Sequence, residues 1–397
     1  MNRNLQQLFT IAQKPVRRII GLMSGTSLDG LDVALCAITG SGMDTRVTLE
    51  HFDTVPYPVA VKDEIRKVFA KDMISFQQLC LLNPWLAGLH AQWILECLKK
   101  WNVAAREVDL IASHGQTVYH SPKILHRLPE FPNATLQIVD GDHIAVKTGI
   151  IALSDFRQKH IAAGGEGAPL ALYGDYCLFS EKGEDRVMLN MGGIANFTYL
   201  PGDLNPGGVF VTDTGPGNTL LDTFAREYFQ VEYDKDASFA RQGTVNESLL
   251  TTLKANPFFK EPFPRTTGPE LFSKAYVRAA QDSTNTTALS SYDMMATLTR
   301  FSADTITDAL KSILQEGKDY AVYVSGGGAH NPLLTGWIRE SLPRLKMHTT
   351  GELGIAGDAK EAVLFAILAN EAICGECINF GKSGMPAITM GKLSFPA

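Results

Sequence analysis

The sequence predicts an α/β protein that is built from two similar lobes. Its 397 residues exceed the usual size of one domain, so two hydrophobic cores are expected. Residues 16–38 and residues 187–200 each read as an apolar run, a glycine-containing turn and a second apolar run. Further apolar runs of strand length alternate with helical spacing, for example in residues 76–101. One pattern repeated near the start of each half indicates a duplicated fold.

Composition limits the partners and the location of the protein. The net charge of −6 gives no broad electrostatic reason to expect nucleic acid or an anionic membrane as a partner. No apolar run approaches the roughly 20 residues that span a bilayer, and residues 1–14 lack a signal-peptide core. The six cysteines are too scattered for a disulfide framework, and Cys374 and Cys377 have no second pair to complete a zinc site. We therefore expect a cytoplasmic protein.

The first candidate ligand site is the turn within residues 21–32. Its glycines permit a tight bend, and the hydroxyls of Ser24, Thr26 and Ser27 can donate to phosphate oxygens. Asp29 and Asp32 add carboxylates, which could hold the Mg²⁺ that accompanies phosphates. An ordinary β-turn is the alternative for this composition.

Two further candidates follow in the first half. Residues 41–60 predict a strand and turn, and residues 62–70 and 76–101 predict helices. A buried strand in residues 109–112 then leads directly into His114, and polar residues at a strand end mark ligand sites in open α/β sheets. A satisfied, partly buried histidine is the alternative.

After a short strand in residues 150–153, an arginine behind an aspartate precedes a glycine-rich loop. Arg157 follows Asp155, and the loop covers residues 162–169. Because a guanidinium matches a carboxylate bidentately, this segment suits the anchoring of a polar or carboxylate-bearing ligand. A surface ion pair beside a flexible loop is the alternative.

The second half opens with its own glycine turn and continues with a strand in residues 209–212. This strand ends at Asp213, beside two glycines, and a helix follows in residues 220–229. A carboxylate placed there can reach a reacting group while backbone N–H groups face a phosphate. A turn or N-cap role is the alternative for Asp213.

The remaining elements are an insertion, two helices and a glycine-rich strand end. Residues 234–287 are polar, contain prolines and predict short helices. A helix in residues 292–314 precedes a strand in residues 321–324, whose end carries three glycines that allow close approach of a flat or phosphorylated ligand. Glu361 lies near the start of a late helix, where the helix dipole favours a carboxylate whether or not it acts in catalysis.

We expect a first lobe over residues 16–150 and a second lobe over residues 151–378. The second lobe would carry the helical insertion at about 234–289, and the tail, residues 379–397, could return to the first lobe.

Six segments, in order along nearly the whole chain, resemble the anhydro-N-acetylmuramic acid kinases, a family of the actin, sugar kinase and Hsp70 ATPase superfamily. They are residues 21–30 (GLMSGTSLDG), 113–117 (SHGQT), 155–157 (DFR) with 162–169 (AAGGEGAP), 190–196 (NMGGIAN), 213–218 (DTGPGN) and 325–332 (SGGGAHNP). The resemblance implies two duplicated actin-like (ribonuclease H-like) lobes with an interlobe nucleotide and sugar cleft. It also implies ATP, Mg²⁺ and a small-molecule sugar as ligands, and it leaves a homodimer open.

The activity that the resemblance implies couples two steps. The 1,6-anhydro ring of the sugar is opened by water, and the released O6 is phosphorylated by ATP, which gives N-acetylmuramic acid 6-phosphate in peptidoglycan recycling and amino-sugar catabolism. Asp213 matches the general base that acts on the water attacking C1. Glu361 matches a carboxylate for which we expect water or metal positioning, and Asp29 is the expected metal ligand.

The remaining expected site residues fall into two groups. The nucleotide group comprises Gly25, Thr26, Ser27, Leu28, Asp29, Gly30, Asp32, Gly192, Gly193, Gly215, Gly217, Asn218, Gly326, Gly327 and Gly328. The sugar group comprises His114, Gln116, Asp155, Arg157 and Gly165.

Two positions and one segment depart from the family pattern: after Pro169 the family commonly continues with Val-Pro and a Phe-His pair, whereas residues 170–175 here read LALYGD. His160 stands where the family usually has Asp, and Glu166 stands where it has Gln. Glu166 could repel a lactyl carboxylate or bind a sugar hydroxyl instead. Alternatives are therefore a kinase of another anhydrosugar such as levoglucosan, an ordinary hexokinase-like sugar kinase, and an Hsp70-like nucleotide-dependent binding module.

Overall fold

The computed structural model describes residues 2–268, 270–315, 318–355, 357–381 and 386–397. It divides into two compact units. The first unit is Met1–Phe179 together with Gly354–Ala397, and the second unit is Ser180–Leu353. Each unit contains one β-sheet and its own buried apolar core.

The described strands are β1 Arg17–Ser24, β2 Gly30–Thr39, β3 Arg46–Pro56, β4 Leu110–Ser121, β5 Ala134–Ile138, β6 Ile151–Ser154, β7 Asp185–Met191, β8 Ile194–Leu200, β9 Phe210–Pro216, β10 Tyr320–Ser325, β11 Lys346–Thr349 and β12 Lys392–Ser394. The α-helices are α1 Arg3–Ala12, α2 Val59–Arg66, α3 Phe76–Lys100, α4 Lys123–His126, α5 Gly141–Thr148, α6 Phe156–Ala162, α7 Ala171–Phe179, α8 Thr219–Phe229, α9 Glu247–Lys254, α10 Lys274–Thr284, α11 Ser291–Ile313, α12 Pro332–Ser341 and α13 Lys360–Cys374. None of these helices is long and apolar enough to cross a membrane.

The two sheets repeat one strand order and one set of directions. In the first unit the order is β3-β2-β1-β4-β6, with β2 antiparallel to both neighbours and β1, β4 and β6 mutually parallel. In the second unit the order is β9-β8-β7-β10-β11, with β8 antiparallel to both neighbours and β7, β10 and β11 parallel. The predicted duplication of an α/β lobe is confirmed.

The first sheet carries two additions that the second lacks in the described residues. β5 pairs with the far half of β4, and β12 from the tail pairs antiparallel with β6 at the sheet edge. The tail strand therefore lies in the first unit. Residues 382–385 of the predicted tail lie outside the described residues.

The compact units differ in their bounds from the two predicted lobes. β6 pairs in parallel with β4, so the segment after residue 150 continues the first sheet. α13 packs against β1, β2 and β4, so this helix also belongs to the first unit. The reason is that the chain crosses between the units after α7 and returns before α13, and local sequence pattern does not show which sheet β6 and α13 join.

Three strands are longer than the sequence predicts. β1 runs through Gly21 to Ser24, β4 runs from Leu110 to Ser121, and β9 continues past Asp213 to Pro216. His114 and Gln116 therefore lie within a strand, as do Gly30 and Asp32 at the start of β2. Polar residues and glycines ended the predicted strands, but pairing with neighbouring strands continues the ladder through them.

The region predicted as an insertion forms short helices around α9 and α10. Their apolar faces pack on α8 and α11 in one cluster of buried residues. The described cluster includes Leu221, Phe224, Leu249, Leu253, Phe258, Phe272, Val277, Met295 and Phe301. This second core of the unit supports the segment that follows Phe258, which reaches Asp213.

Candidate active site

The turn between β1 and β2 is held at several points. Ser24 Oγ donates to the Gly115 carbonyl (3.0 Å), and Gln116 Nε2 donates to the Gly25 carbonyl (3.1 Å). Leu28 adopts a left-handed backbone conformation (φ +57°) and buries its side chain. Between these anchors Thr26 and Ser27 are exposed, as the phosphate hypothesis requires.

Asp29 is fixed by the turn through one of its carboxylate oxygens. Its Oδ1 accepts from Ser27 Oγ (2.8 Å) and from the Gly30 N–H (3.0 Å). No described group donates to Oδ2 of this exposed side chain. An oriented carboxylate with one oxygen left over is the kind of ligand that Mg²⁺ takes alongside phosphates.

Helix α13 lies directly against β1 and brings a second carboxylate to this turn. A Cβ at Gly21 would lie 1.8 Å from the Ala362 carbonyl oxygen, so only glycine permits this approach. Glu361, next to Ala362, is close enough to Asp29 and Asp32 for their charges to act on its carboxyl group. The sequence placed α13 in the other lobe and did not predict this neighbourhood.

The pKa values of Asp32 and Glu361 are raised by burial and, to a smaller degree, by neighbouring carboxylates. Burial raises the pKa of Asp32, a hydrogen bond from Thr54 opposes this, and the charges of Asp29 and Asp358 add to it. Although part of the Glu361 side chain stays exposed, desolvation by the surrounding protein raises its pKa against the effect of Arg157. Such crowding is relieved when a cation binds.

The described residues contain no group of three or more His, Cys, Asp or Glu side chains arranged to hold a metal ion. The carboxylates near the turn therefore do not form an all-protein cage. They do fit Mg²⁺ in its usual mode, in which one or two carboxylates and the substrate phosphates hold the ion.

His114 and Arg157 are brought together in the first unit. His114 is buried, and its Nε2 accepts from Arg157 Nε (3.0 Å). Arg157 also donates from Nη1 to the Gly167 carbonyl (2.6 Å). Burial, and then the charge of Arg157, lower the pKa of His114 to about 3, so His114 is neutral and carries its proton on Nδ1.

The loop that follows Arg157 rests on His160. His160 Nδ1 accepts from the Gly167 N–H (2.9 Å), and a Cβ at Gly165 would lie 2.2 Å from the His160 ring. His160 thus fixes the loop, and Glu166 is exposed on it. The histidine that departs from the family pattern has a structural partner of its own.

Two expected sugar-binding side chains have partners within the protein. Asp155 forms an ion pair with Lys392 of β12. Gln116 Nε2 donates to the Gly25 carbonyl (3.1 Å) and to the Thr117 carbonyl (3.3 Å), and its place in sugar binding stays a prediction. Its buried Oε1 has no partner among the described residues.

In the second unit the Gly192-Gly193 turn receives the start of α8. The Gly192 carbonyl accepts from the Asn218 N–H (2.8 Å), and the Gly193 carbonyl accepts from the Gly217 N–H (2.8 Å). The turn therefore uses the N–H groups of Gly217 and Asn218, and the place of these two residues in nucleotide binding stays a prediction. Gly215 (φ +140°) packs against Phe259.

The three glycines after β10 pack against the end of β7 and against Asn218, beside the Gly192-Gly193 turn. A Cβ at Gly326 would lie 2.7 Å from Asn190 Oδ1, and a Cβ at Gly328 would lie 2.7 Å from the Met191 side chain. Gly327 lies beside the Asn218 amide. The motifs at 190–193, 217–218 and 326–328 thus pack against one another, and glycine permits these close backbone contacts.

Asp213 lies in β9 with one oxygen bound and one free. Its Oδ2 accepts from the Thr267 N–H (2.7 Å), whereas Oδ1 has no donor within the part of the chain that the structure describes. Burial raises the pKa of Asp213 to about 6, although the Thr267 hydrogen bond and the charge of Arg265 both lower it. At neutral pH this carboxylate is mostly ionised and poised to accept a proton.

Sequence reasoning missed the residues that hold these groups in place. Thr267 and Arg265 contact Asp213, Lys392 pairs with Asp155, and Asp358 lies near Asp32. The signal for Arg265 was an arginine among closely spaced phenylalanines. Lys392 and Asp358 carried none, since each acts across a long sequence separation.

Comparison with known proteins places these features in a family. The family model described as "Anhydro-N-acetylmuramic acid kinase" matches residues 17–383. An anhydro-N-acetylmuramic acid kinase of Pseudoalteromonas atlantica is 53% identical over 400 residues, with 100% of both chains covered. One from Caldanaerobacter subterraneus is 38% identical over 395 residues, which cover 98% of this chain and 100% of that one.

Among solved structures, a hexokinase from Schistosoma mansoni complexed with glucose covers 90% of this chain and 86% of its own. The TM-score is 0.38 and the identity is 11%, which is too distant to carry an argument.

Proposed function

The chain belongs to the anhydro-N-acetylmuramic acid kinase family, and from that premise we propose that it opens 1,6-anhydro-N-acetylmuramic acid with water and phosphorylates O6 with ATP. The chain is a kinase, a transferase with an alcohol group as acceptor. The product is N-acetylmuramic acid 6-phosphate, which would enter peptidoglycan recycling and amino-sugar catabolism.

The observation that carries the proposed mechanism is the state of Asp213. A general base for water needs a positioned carboxylate, ionised at working pH, with an oxygen free to take the proton. Asp213 Oδ2 is held by Thr267, Oδ1 is free of donors among the described residues, and the raised pKa of about 6 makes this carboxylate a stronger base than an ordinary aspartate.

In the proposed reaction, Asp213 takes one proton from a water molecule while the oxygen of that water forms a bond to C1 of the sugar. The bond from C1 to O6 breaks in the same step. O6 then forms a bond to the γ-phosphorus of ATP, and ADP leaves. The proton on Asp213 returns to solvent. Since the departing O6 is the incoming nucleophile, correct placement of the sugar and the phosphate can couple the two steps.

The phosphate side of the reaction is assigned to two sets of residues. In the first unit, Thr26 would donate its hydroxyl hydrogen to a phosphate oxygen, while Ser27, whose hydroxyl donates to Asp29 Oδ1, would orient that carboxylate. In the second unit, the glycines at 192–193 and 326–328 would allow the nucleotide to approach the backbone. Mg²⁺ held by Asp29 would neutralise charge on the phosphates, and Glu361 would orient water or the ion.

The sugar side is assigned to His114, Asp155, Arg157 and Gly165. Arg157 is the cation proposed to bind a lactyl carboxylate. Hydrogen bonds from its Nε to His114 and from its Nη1 to the Gly167 carbonyl fix the orientation of the guanidinium. We keep levoglucosan as the second candidate because Glu166 is exposed on the same loop and would disfavour a carboxylate.

An ADP-release assay on the purified protein tests the proposal. It compares 1,6-anhydro-N-acetylmuramic acid, levoglucosan and N-acetylmuramic acid, with ATP and Mg²⁺ present. We expect turnover of the first. Turnover of N-acetylmuramic acid alone would refute ring opening. Turnover of levoglucosan alone would identify the protein as a levoglucosan kinase, the second candidate function. Omission of Mg²⁺ should abolish turnover.

The location and assembly of the protein stay predictions. We propose a cytoplasmic enzyme, with no nucleic acid or membrane partner, and a homodimer as one assembly to test by light scattering.

A further inference from the structure

Arg265 is a buried cation that makes no ion pair with any carboxylate in the described part of the chain. The residue is 8% exposed. Its guanidinium carbon instead lies 4.7 Å from the centre of the Phe258 ring, 4.9 Å from Phe263 and 6.0 Å from Phe259. Three aromatic faces hold the guanidinium in one place and offset part of its desolvation.

The hydrogen bonds of Arg265 tie this clamp to the strand that carries Asp213. Arg265 Nη1 donates to the Phe258 carbonyl (3.1 Å), and Nε donates to the Asp213 carbonyl (3.2 Å). The backbone continues the connection, since the Asp213 N–H donates to the Arg265 carbonyl (2.9 Å). Two residues further on, the Thr267 N–H reaches Asp213 Oδ2.

An apolar side chain could fill the aromatic clamp without the cost of burying a charge. A charge at this position acts on the groups around it. The charges of Glu261 and Asp213 favour the protonated form of Arg265 against the effect of burial. In turn, the charge of Arg265 acts to lower the pKa of Asp213. The clamp therefore places one fixed positive charge beside the proposed base.

We propose that Arg265 is the positioning residue of Asp213: its clamped guanidinium fixes the 265–267 segment against β9 and keeps the Asp213 carboxylate ionised with Oδ1 free. This inference rests on the proposed function of Asp213 as the base, and it assigns Arg265 no contact with the substrate.

The sign of the effect follows from the charge. A positive group lowers the pKa of a neighbouring carboxyl, so removal of the Arg265 charge should raise the pKa of Asp213 above about 6. The base would then be protonated over more of the neutral range, and turnover would fall there and recover at higher pH.

The test is the pH profile of kcat/KM for Arg265→Met, measured by ADP release with the anhydrosugar that the wild type turns over. We expect the acid limb to move up by about one pH unit. A limb at the wild-type position would overturn the inference. Wild-type protein without ring-opening turnover would refute the proposed function instead, so the two failures are distinguishable.

Arg278→Met is the matched control, because it also removes an arginine that lies over aromatic rings in the second unit. Its guanidinium carbon is 5.2 Å from the Phe224 ring and its partner is Glu227. We expect a lower melting temperature and an unchanged acid limb. An equal shift of the limb in both variants would overturn a specific role for Arg265.

Arg265→Lys carries the test if Arg265→Met does not fold, as judged by circular dichroism. Lysine keeps the charge but loses the fork that reaches two carbonyls. We expect the acid limb to stay within about 0.3 pH units of wild type while kcat falls several-fold. A wild-type kcat in this variant would overturn the positioning role.

Discussion

Asp213 combines a catalytic assignment with a cost to the fold. Its pKa is raised to about 6 because burial outweighs the Thr267 hydrogen bond and the charge of Arg265. The folded state therefore binds the proton more tightly than the unfolded state does. The destabilisation is absent below the ordinary pKa near 4 and is complete above pH 6, so ionised Asp213 weakens the fold at neutral pH.

Replacement of the base tests both consequences at once. In Asp213→Asn we expect ADP release to fall by roughly 10²- to 10⁴-fold, because the proton acceptor is lost. Nucleotide binding should persist, as measured by calorimetry. The free energy of unfolding of the variant at pH 7.5 should be higher by roughly 1 kcal/mol, after allowance for partial solvent exposure. Its melting temperature should rise accordingly. Wild-type turnover would remove Asp213 from the mechanism.

The wild-type enzyme should show the same ionisation in its kinetics. We expect kcat/KM to fall tenfold per unit as the pH drops below about 6, since only ionised Asp213 accepts a proton. Buffers of constant ionic strength between pH 4.5 and 8 would measure this limb. A flat profile down to pH 5 would contradict a base with this pKa.

At the scale of elements, the contact between β1 and α13 sets the position of Glu361. Gly21 pairs with Ala34 and Ala112 on its two sides and faces Ala362 on the helix. Small residues on all sides let the helix lie on the strand. This contact explains why a glycine stands inside a buried strand.

Gly21→Ala should disrupt this contact. The added Cβ would lie 1.8 Å from a backbone oxygen, so the helix must move, at a cost of about 2 kcal/mol or more. We expect a lower melting temperature and, through displacement of Glu361, lower kcat. Gly336→Ala is the control, because nothing lies within 4 Å of its Cβ and it sits inside α12. There we expect unchanged kcat and roughly 0.5–1 kcal/mol more stability.

Local pattern predicted most of the elements, and it failed where distant segments decide. The helical spacing of α3 and α11 and the two glycine hairpins were visible in the sequence. The glycine motifs were also predicted as site residues, although no residue type shows that the turn carbonyls at 192–193 take up the N–H groups of Gly217 and Asn218. Arg265 and Lys392 were not predicted for the same reason. Arg265 contacts the backbone of Asp213, and Lys392 pairs with Asp155, and both partners are more than 50 residues away in sequence.

At the scale of the whole molecule, the first unit is assembled from both parts of the chain that flank the second. Lys392 of β12 pairs with Asp155, and Asn4 Nδ2 donates to the Pro396 carbonyl (3.0 Å). The tail therefore closes the edge of the first sheet and contacts the N-terminal helix α1.

Removal of residues 390–397 should expose this edge. The unpaired N–H and C=O groups of β6 would face solvent, and Asp155 would lose its partner. We expect a lower melting temperature, a tendency to aggregate in light scattering, and a raised KM for the sugar. Lys392→Met separates the causes, because it should raise KM while the edge stays covered. Wild-type KM in both variants would exclude a role for the tail on the sugar side.

The split composition of the first unit also sets an order of events during synthesis. The segment 354–397, with α13 and β12, leaves the ribosome after all of the second unit, so the nascent second unit can fold while the first sheet still lacks its last strand and covering helix. A nascent chain stalled before residue 354 would carry Asp213 but not Glu361. On the proposed role of Glu361, catalytic competence would arise only after α13, Lys360–Cys374, has been translated.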